Sequence, residues 1–162
     1  MDTNTLYFLF PRSYSDGVRV VIRFQLVSLS GKKFDEDVYE VVLPTMDGEI
    51  GVLKDHMPLV SVAKVGVIAV RRDAKDSDAQ REFFAINGGA IEVSDNQLKV
   101  LVDEADNAED ISEAEVQKAL ERAKRMKAEA KDEVSLEHAQ NLVDRHAVRL
   151  QVAGLKRRHK KR

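Results

Sequence analysis

The sequence predicts an α+β chain in which an amino-terminal antiparallel β-sandwich comes first and a carboxyl-terminal antiparallel two-helix hairpin follows. Three observations carry this. From Val18 onward, short apolar runs of period 2 alternate with turn signals at intervals of roughly ten residues, the pattern of a sandwich or barrel. After Ala108 the apolar period lengthens to that of a helix. The two helical stripes are joined by a short polar connection, which makes the helices antiparallel neighbours. The resulting division is an extension over 1–17, a sandwich over 18–108, a hairpin over 109–155 and a basic tail over 156–162.

The first strand carries Val18, Val20, Ile22, Phe24 and Leu26 on one face, with Arg19, Arg23 and Gln25 on the other. Ser30-Gly31-Lys32-Lys33 reads as a turn, and Val38 to Leu43 as the next β-rich run. The stretch from Leu43 to Leu59, LPTMDGEIGVLKDHMPL, breaks an apolar run with glycine, charge and proline and then resumes it. Gly48 and Gly51 give turn freedom there, and Pro44 and Pro58 forbid a helix, so Asp47, Glu49, Lys54, Asp55 and His56 are displayed on loops or strand ends. Leu59 to Val70, interrupted by Gly66, reads as two short strands or one bulged strand. Asp73 to Gln80 is a polar connection. Phe83, Phe84 and Ile86 run into Asn87-Gly88-Gly89, read as a tight turn, and Ala90, Ile91 and Val93 follow. Asp95-Asn96 is the next turn, and Leu98 to Val102 closes the series.

Ser112 with Glu115 has the form of a capping box at the start of the first helix. Val116, Ala119, Leu120, Ala123, Met126 and Ala130 then recur at helical spacing to about Lys131. Asp132 to Ser135 reads as the connection. Leu136, Ala139, Val143, His146, Ala147, Leu150 and Ala153 form the second stripe, ending near Gly154. Both stripes are rich in alanine, which gains little from burial, so the hairpin is expected to dock weakly and to be able to move.

Composition narrows the function. The chain has 162 residues, 33% of them charged, and a net charge of -2, which by itself points to no polyanionic or membrane partner. The charge is segregated, however. Seven acidic residues and no basic one lie between Asp103 and Glu115, whereas every residue from Lys156 to Arg162 except His159 is basic. The absence of cysteine excludes disulfides, thiolate metal sites and cysteine nucleophiles. No apolar run approaches the roughly 20 residues that span a bilayer. No phosphate loop is present, because neither Gly48-Glu49-Ile50-Gly51 nor Asn87-Gly88-Gly89 leads into Lys-Ser/Thr and a helix. His56, His138, His146 and His159 lack short metal spacing, and His146 reads as a packed histidine. Asp47 and Glu49 read as solvated turn carboxylates rather than a general acid and base. Neither catalysis nor a cofactor is expected. The terminal LKRRHKKR reads as a solvated basic helix end complementing its own dipole, and nucleic acid is not expected because no aromatic platform accompanies it.

Four motifs in order add a resemblance. They are Asp47-Gly48-Glu49-Ile50-Gly51-Val52-Leu53 with His56-Met57-Pro58-Leu59; Phe83 to Val93 with its paired glycines; Ala105 with Ala108-Glu109-Asp110-Ile111; and the alanine- and arginine-containing segment Ala139 to Leu155. Over about residues 22–158 the chain resembles the epsilon subunit of the proton-translocating ATP synthase. The resemblance implies a sandwich followed by a helical hairpin and a non-catalytic place in the central rotor stalk. The expected partners are the gamma subunit and the c-ring, and the catalytic alpha/beta head when the arm extends. By resemblance, one loop bearing Asp47, Glu49 and His56 meets the c-ring or gamma, although Lys54-Asp55 replaces the family's usual Pro-Gly. Arg145, Arg149, Lys156, Arg157 and Arg158 would meet an acidic segment of the catalytic subunit and oppose ATP hydrolysis. The family's ATP-binding motif on the hairpin, Ile/Leu-Asp-x-x-Arg-Ala, is replaced by Ile111-Ser112-Glu113-Ala114-Glu115-Val116, so no ATP site is expected. The implied setting is peripheral, at the cytoplasmic face of a bacterial plasma membrane, in keeping with the lack of an Arg- and Ser-rich leader. The competing reading is a free-standing β-sandwich adaptor whose basic arm binds anionic partners. Met1 to Gly17 reads as an extension or as an aromatic plug against a neighbour.

Overall fold

A computed structural model describes residues 20–160. The readings of Met1 to Gly17, and of Val18 as the start of a strand, lie outside the described residues. Eight strands come first: β1 (Ile22–Ser28), β2 (Gly31–Val38), β3 (Glu40–Thr45), β4 (Gly48–Leu53), β5 (Leu59–Arg71), β6 (Glu82–Ser94), β7 (Gln97–Val102) and β8 (Ala105–Asn107). Two helices follow, α1 (Glu113–Glu129) and α2 (Glu133–Lys160). Hydrogen bonds link the strands in the order β2-β1-β7-β6-β5-β3-β4, with β8 on β6, and the sheet folds around one core to which every strand contributes. Ile22, Phe24 and Leu26 of β1, the residues that alternation picked out, are fully buried. Phe34 packs between Phe24 and Phe84, with ring centroids 5.2 and 5.7 Å away. The sandwich and the hairpin are thus as expected, except that β1 and β7 pair in parallel within an otherwise antiparallel sheet.

Local differences have identifiable causes. Lys32 and Lys33 belong to β2 rather than to a turn. This outer strand puts only Phe34 and Val38 inward, so its remaining residues are free to be polar. Arg72 lies 5.1 Å from the Phe34 ring centroid and holds Glu82 at 2.9 Å, which covers that aromatic from outside. Leu59 to Arg71 is one strand. A Cβ on its Gly66 would stand 2.8 Å from Pro44 Cβ, so the glycine is required by the close approach of β3, whose register with β5 shifts there. Asn87-Gly88-Gly89 is not a turn but lies inside β6, where the strand exchanges β8 for β7 as its neighbour. Gly89 has φ +148°, and a Cβ there would lie 2.1 Å from the Leu101 carbonyl oxygen.

The helices also depart from expectation. Ser112 occupies the N-cap of α1, yet its side chain makes no cap hydrogen bond; the first turn closes through Val116 N–H to the Ser112 carbonyl at 3.0 Å. The cap that does form is at α2. Asp132 Oδ1 accepts from Ser135 N–H at 2.8 Å while Ser135 Oγ faces the Asp132 N–H at 3.4 Å, so the supposed connection is itself a helix start. The Ser135 amide first, then the Ser135 hydroxyl, hold the Asp132 carboxyl below its ordinary value. α2 does not stop at Gly154 but continues to Lys160, because a single glycine weakens a helix without ending it.

The second stripe was only half of the pattern. Ala139 and Ala153 are buried, but so is Val152, which packs with Val148 and Leu155 on Phe83, Ala85 and Ala108. At 3.6 residues per turn, Val148, Val152 and Leu155 lie on the opposite side of α2 from Ala139, Val143 and Leu150. α2 is therefore a middle layer, with β5 and β6 on one side and α1 on the other, and α1 makes its main packing against α2.

Candidate partner-binding surfaces

The residues singled out by sequence fall on two surfaces. The first is the β4 edge of the sheet. β4 ends the strand order, so one of its sides has no strand neighbour among the described residues. The turn between β3 and β4 is closed by Thr45 Oγ1 donating to the Gly48 carbonyl at 2.7 Å, and it projects Asp47 and Glu49 into solvent. His56 lies beyond the other end of β4, so the three residues do not share one loop as expected. Asp47 lies in the turn before β4, Glu49 within the strand and His56 beyond its far end, so what they share is an edge. An exposed glutamate on such an edge also discourages pairing with a stray strand.

The corner holding His56 is built with care. Asp55 adopts φ 61°, the left-handed region that glycine enters freely and that Asp and Asn tolerate best among the others. This is the position where Lys54-Asp55 departs from Pro-Gly, so the substitution keeps a backbone conformation suited to glycine. Asn96, in the turn between β6 and β7, ties the corner down. Its Oδ1 accepts from Asp55 N–H at 3.1 Å and its Nδ2 donates to the Val21 carbonyl at 3.0 Å. His56 Nδ1 lies 2.7 Å from the Met57 carbonyl oxygen; since a carbonyl only accepts, Nδ1 carries the hydrogen.

An exposed apolar set borders this edge and was not recognised from sequence. Met46 and Met57 flank the two ends of β4, and Val60 on β5 is 82% exposed. Val62, Ala90 and Leu101 are paired in register across β5, β6 and β7, which makes an exposed row on the outer sheet face. In sequence these residues were indistinguishable from core valines and leucines, because strand periodicity marks a face without saying which face is inside.

The second surface is the basic face of α2. Arg145 pairs with Glu104, Arg149 with Asp106 at 2.9 Å, Lys156 with Glu109 at 2.6 Å and Arg157 with Glu113 at 3.3 Å. Arg158 is exposed and has no ion-pair partner among the described residues. The cations expected to face a partner therefore already face the chain's own acidic stretch. His146 sits among them with Nδ1 buried and unpartnered; burial first, then Arg145, Arg149 and Arg122 of α1, push its pKa down, against Glu104. Among the described residues no cluster of His, Asp and Glu is placed to hold a metal, and no helix is long and apolar enough to cross a membrane.

Comparison with known proteins bears on both surfaces. The family described as the ATP synthase delta/epsilon chain, beta-sandwich domain, matches residues 21–108, the whole eight-stranded unit. The chain belongs to this family. A curated relative from Xanthomonas campestris pv. campestris (strain B100), named ATP synthase epsilon chain, is 37% identical over 130 residues, covering 80% of this chain and 90% of the relative. Another of that name, from Bacillus velezensis, is 29% identical over 133 residues, 82% of this chain and 97% of its own. These lengths exceed the sandwich, so the likeness to epsilon chains continues into the helices. Among solved structures, a chain of the Euglena gracilis mitochondrial ATP synthase (OSCP/F1/c-ring, rotational state 1) superposes with a TM-score of 0.69 at 26% identity, over 87% of this chain and 86% of that one. A chain of the Tetrahymena thermophila mitochondrial ATP synthase central stalk and c-ring shares the fold, with a TM-score of 0.51 at 12% identity. This is an epsilon-type chain of an ATP synthase.

Proposed function

We propose that this chain is a non-catalytic subunit of the central rotor stalk, joining the gamma subunit to the c-ring through its sandwich and restraining ATP hydrolysis through its helical arm. The observation that supports the reading is the superposition, over 87% of this chain, on a chain of a mitochondrial ATP synthase OSCP/F1/c-ring assembly. The edge strand β4, with Asp47 and Glu49 at one end and His56 at the other, supplies polar groups for the c-ring or gamma. Met57, 73% exposed beside His56, supplies apolar contact. Arg145, Arg149, Lys156, Arg157 and Arg158 on α2 supply the charge for an acidic segment of the catalytic head once the arm leaves the sandwich. The protein is then peripheral, held at the cytoplasmic face of the membrane by the complex, a setting supported by its bacterial relatives. An adaptor for free anionic polymers is disfavoured, because four of these five cations are already paired within the chain. A tagged chain purified from its native membranes, followed by ATPase assays with and without the residues after Ala130, tests the proposal. Recovery with gamma and the catalytic head is expected; recovery with neither would leave only a likeness of fold.

A further inference from the structure

The carboxylates that face α2 do not surround it diffusely. In chain order Glu104, Asp106, Glu109 and Glu113 meet Arg145, Arg149, Lys156 and Arg157, so the two segments run side by side in the same direction. The acidic partners come from β8 and its approach, from a short 3-10 turn at Ala108–Asp110 and from the first turn of α1, whereas the cations all come from one helix. Val148, Val152 and Leu155 lie among those cations and pack on a small cluster of Phe83, Ala85 and Ala108. Ions and apolar side chains thus share one docked face.

We propose that the acidic stretch Glu104 to Glu113 is an intramolecular competitor for the basic face of α2, occupying in cis the cations that an acidic segment of a partner would engage. The arm then becomes available only by exchange of one set of carboxylates for another. The apolar cluster beneath holds the same face, and the charges add to it. Each pair is partly exposed, hence individually weak and screened by salt, and the latch acts through their number. Its consequence in the complex rests on the reading of α2 as a movable arm, but the latch itself belongs to the free chain.

The lack of cysteine makes a direct test simple. Ala74→Cys in the exposed loop before β6 and Gln151→Cys on the exposed side of α2 accept two spin labels in the full chain, whose separation is read by pulsed electron paramagnetic resonance. Raising salt from about 0.05 to about 0.5 M shortens the screening length severalfold, and a second, undocked distance is expected to appear. Its ratio to the docked distance should rise by about tenfold, as summed surface pairs predict. The neutralised chain E104Q/D106N/E109Q should show the undocked distance already at low salt and lose the response to salt. A distance in the native chain that ignores salt, or a neutralised chain that responds as the native one does, would overturn the latch. Because only the isolated chain is used, neither result depends on whether the complex is recovered from membranes.

Discussion

Asp55 shows how much one residue can decide. Its φ of 61° is a conformation that costs a β-branched residue roughly 1–2 kcal/mol, and its amide is held by Asn96. Asp55→Gly should leave thermal stability unchanged or slightly raised, while Asp55→Val should lower it by about that amount in denaturant unfolding. Equal stability of the two variants would contradict the strained corner. His146 makes the second prediction at this scale. Its pKa is pushed below the ordinary 6.5 in the packed chain, chiefly by burial and then by the arginines around it, while in the unpacked chain it reverts toward that value. The unpacked state therefore binds the proton more readily. The contribution of neutral His146 is complete above 6.5 and is lost as pH falls through the depressed value. Protection of the α2 amides, corrected for the intrinsic exchange rate at each pH, should fall as pH drops below about 6.5, and His146→Gln should flatten that dependence. An unchanged pH profile in the variant would assign the effect to other groups.

α2 is the element whose behaviour follows from burying two opposite faces. One face meets α1 through small residues, the other meets β5 and β6 through Val148, Val152 and Leu155, with Val152 fully buried. Val152→Ala removes two methyl groups from that second face and should weaken docking on the sandwich by roughly 1.5 kcal/mol, seen as faster exchange of α2 amides with the melting of the sandwich unchanged. Loss of sandwich stability by the same amount would mean that the two units melt together. The double face also explains why periodicity saw only half of the helix: two opposed apolar stripes cancel in any one-sided pattern, so Leu136 to Ala153 was visible and Val148 and Val152 were not. The end of α2 was misplaced for a different reason. Gly154 and the basic run after it look like a terminus in sequence, but no helix-stopping contact follows, and the last turns continue through Lys156. Its start at Glu133, just after Asp132, was hidden because an Asp with Ser three residues later reads equally as a loop.

At the scale of the whole molecule, the order of sandwich and hairpin was legible because the change of period after Ala108 is a local signal. What was not legible depends on the approach of distant segments. Gly88-Gly89 looked like a turn because the nearness of the Leu101 carbonyl cannot be read from neighbours in sequence, and β2 looked like a turn because an outer strand needs only two inward residues. Asp47, Glu49 and His56 are displayed polar residues but not one loop, since Gly48 to Leu53 is a strand whose two glycines and Glu49 itself look like loop residues in sequence. The segregation of charge was plain in sequence, yet the pairing of Arg145 with Glu104 and Arg149 with Asp106 needed the register of α2 on the sheet. In that register four of the five cations are occupied by the chain's own carboxylates. The proposed restraint of ATP hydrolysis by α2 is read from the ATPase rate of complexes assembled with the full chain and with a chain ending at Ala130. Faster hydrolysis from the truncated complex at equal subunit occupancy is expected. Equal rates at equal occupancy would contradict it.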